Sequence, residues 1–141
     1  MIETMYDRLG GEPFFRALVS DFYDGVKTDP LLRPMYPESD LDGAIERLTL
    51  FLMQYWGGPE TYSELRGHPR LRMRHAAFEI DIKAKDAWLT HMQKALDNRH
   101  LQADLDAEIR TYLVNTANFL VNTQSPEVRA ITPETTIKPL P

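Results

Sequence analysis

Apolar side chains return at helical spacing in four long segments of this chain, and no run of alternating apolar and polar residues is long enough to make a convincing strand. Residues three and four apart share one face of a helix, whereas a strand turns every second side chain to the same face. That contrast restricts the chain to an all-α architecture. The first segment opens after Leu9-Gly10-Gly11, with Pro13 in the opening turn, where no amide hydrogen is needed. Phe14, Phe15, Leu18, Val19, Phe22, Tyr23 and Val26 follow as a face rich in aromatic rings. The segment stops near Asp29-Pro30, because a residue before proline is pushed out of the helical region.

Pro30, Pro34 and Pro37 then stiffen a tight irregular crossing that ends at Glu38. Tyr36, between Met35 and Pro37, is thereby held more firmly than most loop residues. Ser39-x-x-Asp42 resembles a capping box opening the second helix. Its apolar stripe is Ala44, Leu48, Phe51, Leu52 and Tyr55, with Arg47 at the edge. Trp56-Gly57-Gly58-Pro59 closes it, glycine being suited to a left-handed cap, and Glu60 to Gly67 reads as a polar connection carrying Tyr62. A third helix from about Asp81 carries Lys85, Trp88, Leu89, Met92 and Leu96. A fourth, from about Asp104, carries Leu105, Ile109, Tyr112, Leu113, Thr116 and Leu120. The periodicity lapses after Asn122, and four of the ten prolines fall between Ser125 and Pro141. The expected organisation is one domain over 1–122 and a flexible proline-rich tail over 123–141.

The charge of −5 argues against general affinity for nucleic acid or anionic membranes. Without cysteine there are no disulfides, thiol catalysis or thiolate-held clusters, which fits a reducing cytoplasm. Met1-Ile2-Glu3-Thr4-Met5 lacks the basic start and apolar run of a secretion signal, and no segment has the apolar length of a membrane span.

Against this acidic background, Gly67 to Phe78 stands apart. With Arg66 it holds four arginines and two histidines, and no acid lies between Glu64 and Glu79. Pro69 suits the opening turn of a short helix, in which Leu71, His75 and Phe78 would share a face and Arg72 would lie on its rim. A lone histidine on such a face is most often a hydrogen-bonded boundary residue. No second histidine sits at metal-binding spacing, and there is no His-Glu-x-x-His pattern. A single imidazole holds a metal well when something else supplies the remaining ligands, as a porphyrin does.

Several strings decide between these readings. Leu9-Gly10-Gly11, Tyr36-Pro37, Glu46-Arg47-Leu48, Gln54-Tyr55-Trp56-Gly57-Gly58-Pro59-x-Thr61-Tyr62-Ser63 and Gly67-His68-Pro69-Arg70-Leu71-Arg72-Met73-Arg74-His75 closely resemble group II truncated haemoglobins, in particular the actinobacterial O-type branch. The resemblance runs in order from about Met5 to Asn122. It implies a truncated globin, a two-over-two helical sandwich around haem b. On that reading the helices bearing Tyr23 and Ala44 pair with those bearing Trp88 and Tyr112, and His75 is the proximal iron ligand. Tyr23, Tyr36 and Trp88 carry over as the distal, ligand-stabilising residues. Leu48 and Phe51 would cover the ring, and Ala44 stands where many globins place a distal histidine. Arg47, Tyr62, His68 and Arg72 are the candidates to meet the propionates.

The implied function is binding of dioxygen and other diatomic ligands at ferrous iron. Indole donates only and phenol hydroxyls can donate, so several donors beside a polarised ligand predict slow release. That suits a sensor, scavenger or redox catalyst better than a carrier. Reaction of the oxygen-loaded protein with nitric oxide to give nitrate is the first expected activity. Slow peroxidase chemistry is the alternative, since tyrosine near pKa 10 is a poor base at neutral pH. A haem-free helical interaction domain is the remaining one. No glycine-rich dinucleotide or flavin motif is present, so repeated redox turnover would need an external reductase, and a homo-oligomer is left open.

Overall fold

The computed structural model describes residues 3–36, 39, 41–76 and 80–122, and at Arg72 the backbone alone. Among them the secondary structure is entirely helical. Pro37, Phe78 and the proposed tail from 123 onward lie outside the described residues.

A five-residue helix, α1 (Met5–Leu9), comes first. Thr4 and Asp7 form its capping box, with Thr4 Oγ1 accepting from the Asp7 amide at 3.1 Å. Helix α2 (Glu12–Lys27) buries Phe15, Leu18, Val19, Phe22, Tyr23 and Val26, much as its spacing predicts. It ends two residues before Asp29, and Arg33–Met35 then forms one 3₁₀ turn.

Asp29 organises this crossing. Its Oδ1 accepts the amides of Leu31 and Leu32 at 2.8 and 3.3 Å, while Oδ2 accepts from His91 Nε2 at 2.7 Å. A carboxylate only accepts here, so Nε2 carries hydrogen. Gly25 lies against that imidazole, and a Cβ there would collide with Nδ1. The close approach of α2 to the helix bearing His91 therefore requires glycine at this position.

The His91 bond, then the Leu31 and Leu32 amides, hold the Asp29 carboxyl below its ordinary value of 3.8. A depressed carboxylate pKa stabilises the fold above the ordinary value, and the effect is lost as pH falls through the depressed one. Asp29→Asn is therefore expected to be less stable by about 1 kcal/mol at neutral pH. In paired thermal melts the gap should begin to narrow below about pH 4 and close only as pH falls through the depressed value.

Helix α3 (Asp42–Tyr55) departs from expectation at its start. Ser39 is not its cap: Leu41 is the N-cap, and among the described residues it makes no side-chain cap bond. Leu41 is 8% exposed, so burial of an apolar residue, rather than a capping box, sets the first turn. The end is as expected. Gly57 has φ 97°, its amide reaches Gln54 O at 3.2 Å, and the Gly58 amide reaches Met53 O at 2.8 Å, which is a Schellman motif. The Tyr6 amide bonds Trp56 O at 2.8 Å, tying α1 to this cap.

The polar connection expected over 60–67 instead contains a helix, α4 (Thr61–Arg66). It buries only Tyr62, too little for periodicity to reveal. Helix α5 (Leu71–His75) begins two residues after Pro69, with Arg70 as its N-cap at φ 43°. Helix α6 (Ile82–Asp97) is capped by Asp81, whose carboxylate accepts the Ala84 amide at 2.8 Å. Helix α7 is Ala103–Leu120.

Helix α2 packs against both α3 and α6, and α6 packs against α7. Phe15, Phe22, Leu52, Met92, Leu96 and Ile109 fill the junctions. Each such side chain contributes roughly 1.5–3 kcal/mol on burial. Among the described residues no helix is long and apolar enough to cross a membrane.

Candidate functional site

A cavity of about 550 Å³ opens where α3, α5, α6 and α7 meet the crossing after α2. That volume lies within the roughly 300–1,000 Å³ of sites for small molecules and cofactors. Tyr23 of α2 reaches it, with Leu32, Met35 and Tyr36 of the crossing. Helix α3 contributes Ala44, Arg47, Leu48, Phe51 and Leu52, and α4 contributes Tyr62 and Arg66. Leu71, Arg74 and His75 come from α5, and Ala84, Lys85 and Trp88 from α6. The α7 face from Tyr112 to Leu120 completes the wall.

His75 is half-buried, and its Nδ1 lies 2.6 Å from Leu71 O, one helical turn earlier. A carbonyl can only accept, so Nδ1 carries the hydrogen. In the neutral ring this leaves the Nε2 lone pair available, the tautomer a metal ligand requires. Two devices steady the short helix. Arg74 donates to Pro69 O at 2.6 Å, Arg66 O at 2.7 Å and His68 O at 3.2 Å, folding the preceding loop against α5. On the other side Asn122 exchanges hydrogen bonds of 2.9 Å with Ile80, and its side chain reaches His75 O at 3.4 Å.

Tyr23, Tyr36 and Trp88 all line the cavity. Tyr23 meets Tyr36 edge-to-face, with ring centroids 5.5 Å apart. Phe22 lies against both Tyr23 and Trp88, at 4.8 and 4.9 Å. The Trp88 ring is thus packed, and its indole hydrogen meets no acceptor among the described residues. Phe51 and Tyr62 meet edge-to-face at 5.6 Å, forming another part of the wall.

Of the residues expected to contact a cofactor, Arg47, Leu48, Phe51, Tyr62 and His75 line the cavity. His68 does not. It is exposed, and its Nδ1 accepts from the Arg70 amide at 3.2 Å. The Arg72 side chain lies outside the described residues. Sequence reasoning passed over Arg66, Arg74 and the role of Lys85. Arg74 lines the cavity and also lies 5.6 Å over the Tyr62 ring. Lys85, 17% exposed at its side chain, bonds Asn118 at 3.1 Å. Nothing in the local sequence distinguishes Arg74 from its neighbours, because its work is done on carbonyls.

The donor set does not suit a bare ion: among the described residues no three histidine, cysteine, aspartate or glutamate side chains converge. One imidazole of fixed tautomer, apolar and aromatic walls, and a cationic edge of Arg47, Arg66 and Lys85 suit a flat apolar macrocycle that chelates its own metal and carries carboxylates. The residues fit haem.

Residues 4–122 match the family described as bacterial-like globin. The chain is 41% identical over 124 residues to the group 2 truncated hemoglobin YjbI of Bacillus subtilis, covering 85% of this chain and 90% of that one. Among solved structures it superposes on a thermostable hemoglobin from the actinobacterium Thermobifida fusca with a TM-score of 0.84 and 57% identity, covering 85% of this chain and 98% of that one. With the group II truncated hemoglobin of Bacillus anthracis the TM-score is 0.83 and the identity 38%, over 88% and 100% of the two chains.

Proposed function

The chain belongs to the bacterial-like globin family, as a truncated haemoglobin of two-over-two helical fold, and from that premise we propose that it is a slow-releasing oxygen binder that consumes nitric oxide. It binds haem b, and through it dioxygen. The observation that carries the proposal is the pairing, at the same cavity, of one imidazole of fixed tautomer with one packed indole whose hydrogen meets no acceptor among the described residues.

When bound, haem b supplies a ferrous iron with a ligand position and one transferable electron. His75 offers Nε2 to that iron, and the Leu71 carbonyl keeps the ring in the required tautomer and orientation. Trp88 presents an N–H to a diatomic ligand in the cavity, and the Tyr23 and Tyr36 hydroxyls are the further donors. A hydrogen bond to a charged group contributes about 1.5–3 kcal/mol net. Donors strengthen binding of whichever ligand gathers negative charge, and so favour dioxygen. Arg47 and Tyr62, both in the cavity wall, are the groups to hold carboxylates at its edge. Leu48, Phe51 and Leu52 keep water from the macrocycle.

Nitric oxide, dioxygen and one electron balance to nitrate; bound haem b would supply that electron, and repeated turnover would need an external reductase. Protein saturated with dioxygen and mixed with nitric oxide in stopped flow is expected to give ferric spectrum and nitrate in equal amounts. Oxygen release without nitrate would remove the dioxygenase reading and leave oxygen binding in place. Absence of a Soret band after haem reconstitution would remove both.

A further inference from the structure

A run of aromatic rings leaves the cavity wall and ends at the surface. Tyr112 lines the cavity, and its ring stacks on Tyr55 with centroids 3.8 Å apart and an interplanar angle of 26°. Trp56 stands edge-on to both, at 4.9 Å from Tyr55 and 5.4 Å from Tyr112. Phe51, another ring of the cavity wall, is 6.3 Å from Tyr55. Helical spacing places Tyr55 on the apolar stripe of α3, yet 49% of it is exposed. The binding of a diatomic ligand uses neither Tyr55 nor Trp56.

We propose that Tyr55 is a surface electron-exchange site, at which phenol-class donors pass single electrons through Tyr112 to the haem. The inference rests on the haem reading above. A tyrosine ring gives up an electron readily only when its hydroxyl proton leaves as well. Tyr55 is open to water, which can take that proton. Tyr112 is half-buried, its hydroxyl is bonded to Thr116, and burial pushes its phenol up to about 12. With its hydroxyl held by Thr116 and less open to water, Tyr112 serves as a conduit through the stack, while the oxidised site settles on the exposed Tyr55. One face of Tyr55 is taken by Tyr112, so an aromatic donor meets the remaining exposed surface.

Hydrogen peroxide is the oxidant. It takes two electrons and two protons and becomes two waters. Two phenols supply them, each losing one electron and its hydroxyl proton, and the two phenoxyl radicals couple carbon to carbon into a biphenol. Without an added donor, Tyr55 on two protein molecules should supply the electrons, and their coupling gives a dityrosine-linked dimer.

The test uses the holoprotein, its Soret band verified, treated with hydrogen peroxide alone. Dityrosine fluorescence, a covalent dimer on denaturing gels and a cross-linked peptide containing Tyr55 are the expected results. Tyr55→Phe should keep its Soret band and oxygen release rate, lose the dimer, and oxidise guaiacol more slowly. Tyr112→Leu, which removes the stack and leaves Tyr55 in place, should lose the dimer too; if that variant fails to fold, Tyr112→Phe with freeze-quench electron paramagnetic resonance replaces it, the radical being expected on Tyr55. An equal dimer yield in Tyr55→Phe, or a radical confined to Tyr23 or Tyr36, overturns the proposal while leaving the haem reading standing. No Soret band at all overturns both.

Discussion

His75→Gly is expected to abolish axial ligation of the haem iron and to weaken haem retention by at least about 100-fold, since changes to contacts one shell further out already cost 10–100-fold. The residue closes α5, so glycine there lowers helix stability by no more than about 1 kcal/mol. The Arg74 bonds to the three preceding carbonyls do not involve the imidazole and should hold the loop in place. Far-ultraviolet circular dichroism should therefore change little while the Soret band weakens and shifts. Free imidazole added to the variant fits the space the side chain leaves, and is expected to restore the ferrous spectrum in part. A variant that takes up haem and coordinates iron as the parent does would show that another residue is the ligand.

The connection from Leu71 to His75 illustrates how far sequence reaches. Their spacing of four puts both on one helical face, and that was legible from the residues. The 2.6 Å bond from imidazole to carbonyl, which decides the tautomer, depends on backbone geometry that no spacing encodes. The long helices α2, α3, α6 and α7 were legible for a plain reason: each buries enough side chains to leave a stripe. Helices α1 and α4 were missed because each buries a single residue, Leu9 and Tyr62 respectively.

Where sequence reasoning went astray, tertiary contacts had overridden local chemistry. Ser39 has capping chemistry, but the buried Leu41 decides where α3 begins. Tyr55 has stripe spacing, but α7 offers it a ring to stack on at the rim rather than a place inside. Arg72, Arg74 and His68 look alike as members of one basic run. Only the fold separates Arg74, which binds carbonyls at the cavity, from His68, which faces water. That Tyr23, Tyr36 and Trp88 line one cavity was legible through family resemblance alone. Tyr23, Tyr36 and Trp88 come from α2, the crossing and α6, with no shared spacing to announce that their rings meet one cavity.

Trp88→Phe should speed dioxygen release about tenfold or more, because one donor to a charged acceptor, worth roughly 1.5–3 kcal/mol, disappears. Phenylalanine retains an aromatic face for Phe22, whose ring lies 4.9 Å from that of Trp88, so the packing of α2 on α6 should survive. The smaller ring also enlarges the cavity, and that alone could ease escape of any ligand. Carbon monoxide separates the two effects. It gathers less negative charge than dioxygen, so loss of a donor should change its release much less, whereas a wider exit would speed both equally. The expected result is a faster dioxygen off-rate with a nearly constant carbon monoxide off-rate, both measured by stopped-flow replacement on ferrous protein. Equal acceleration of both would assign Trp88 a steric role, and unchanged rates would leave the tyrosine hydroxyls as the principal donors.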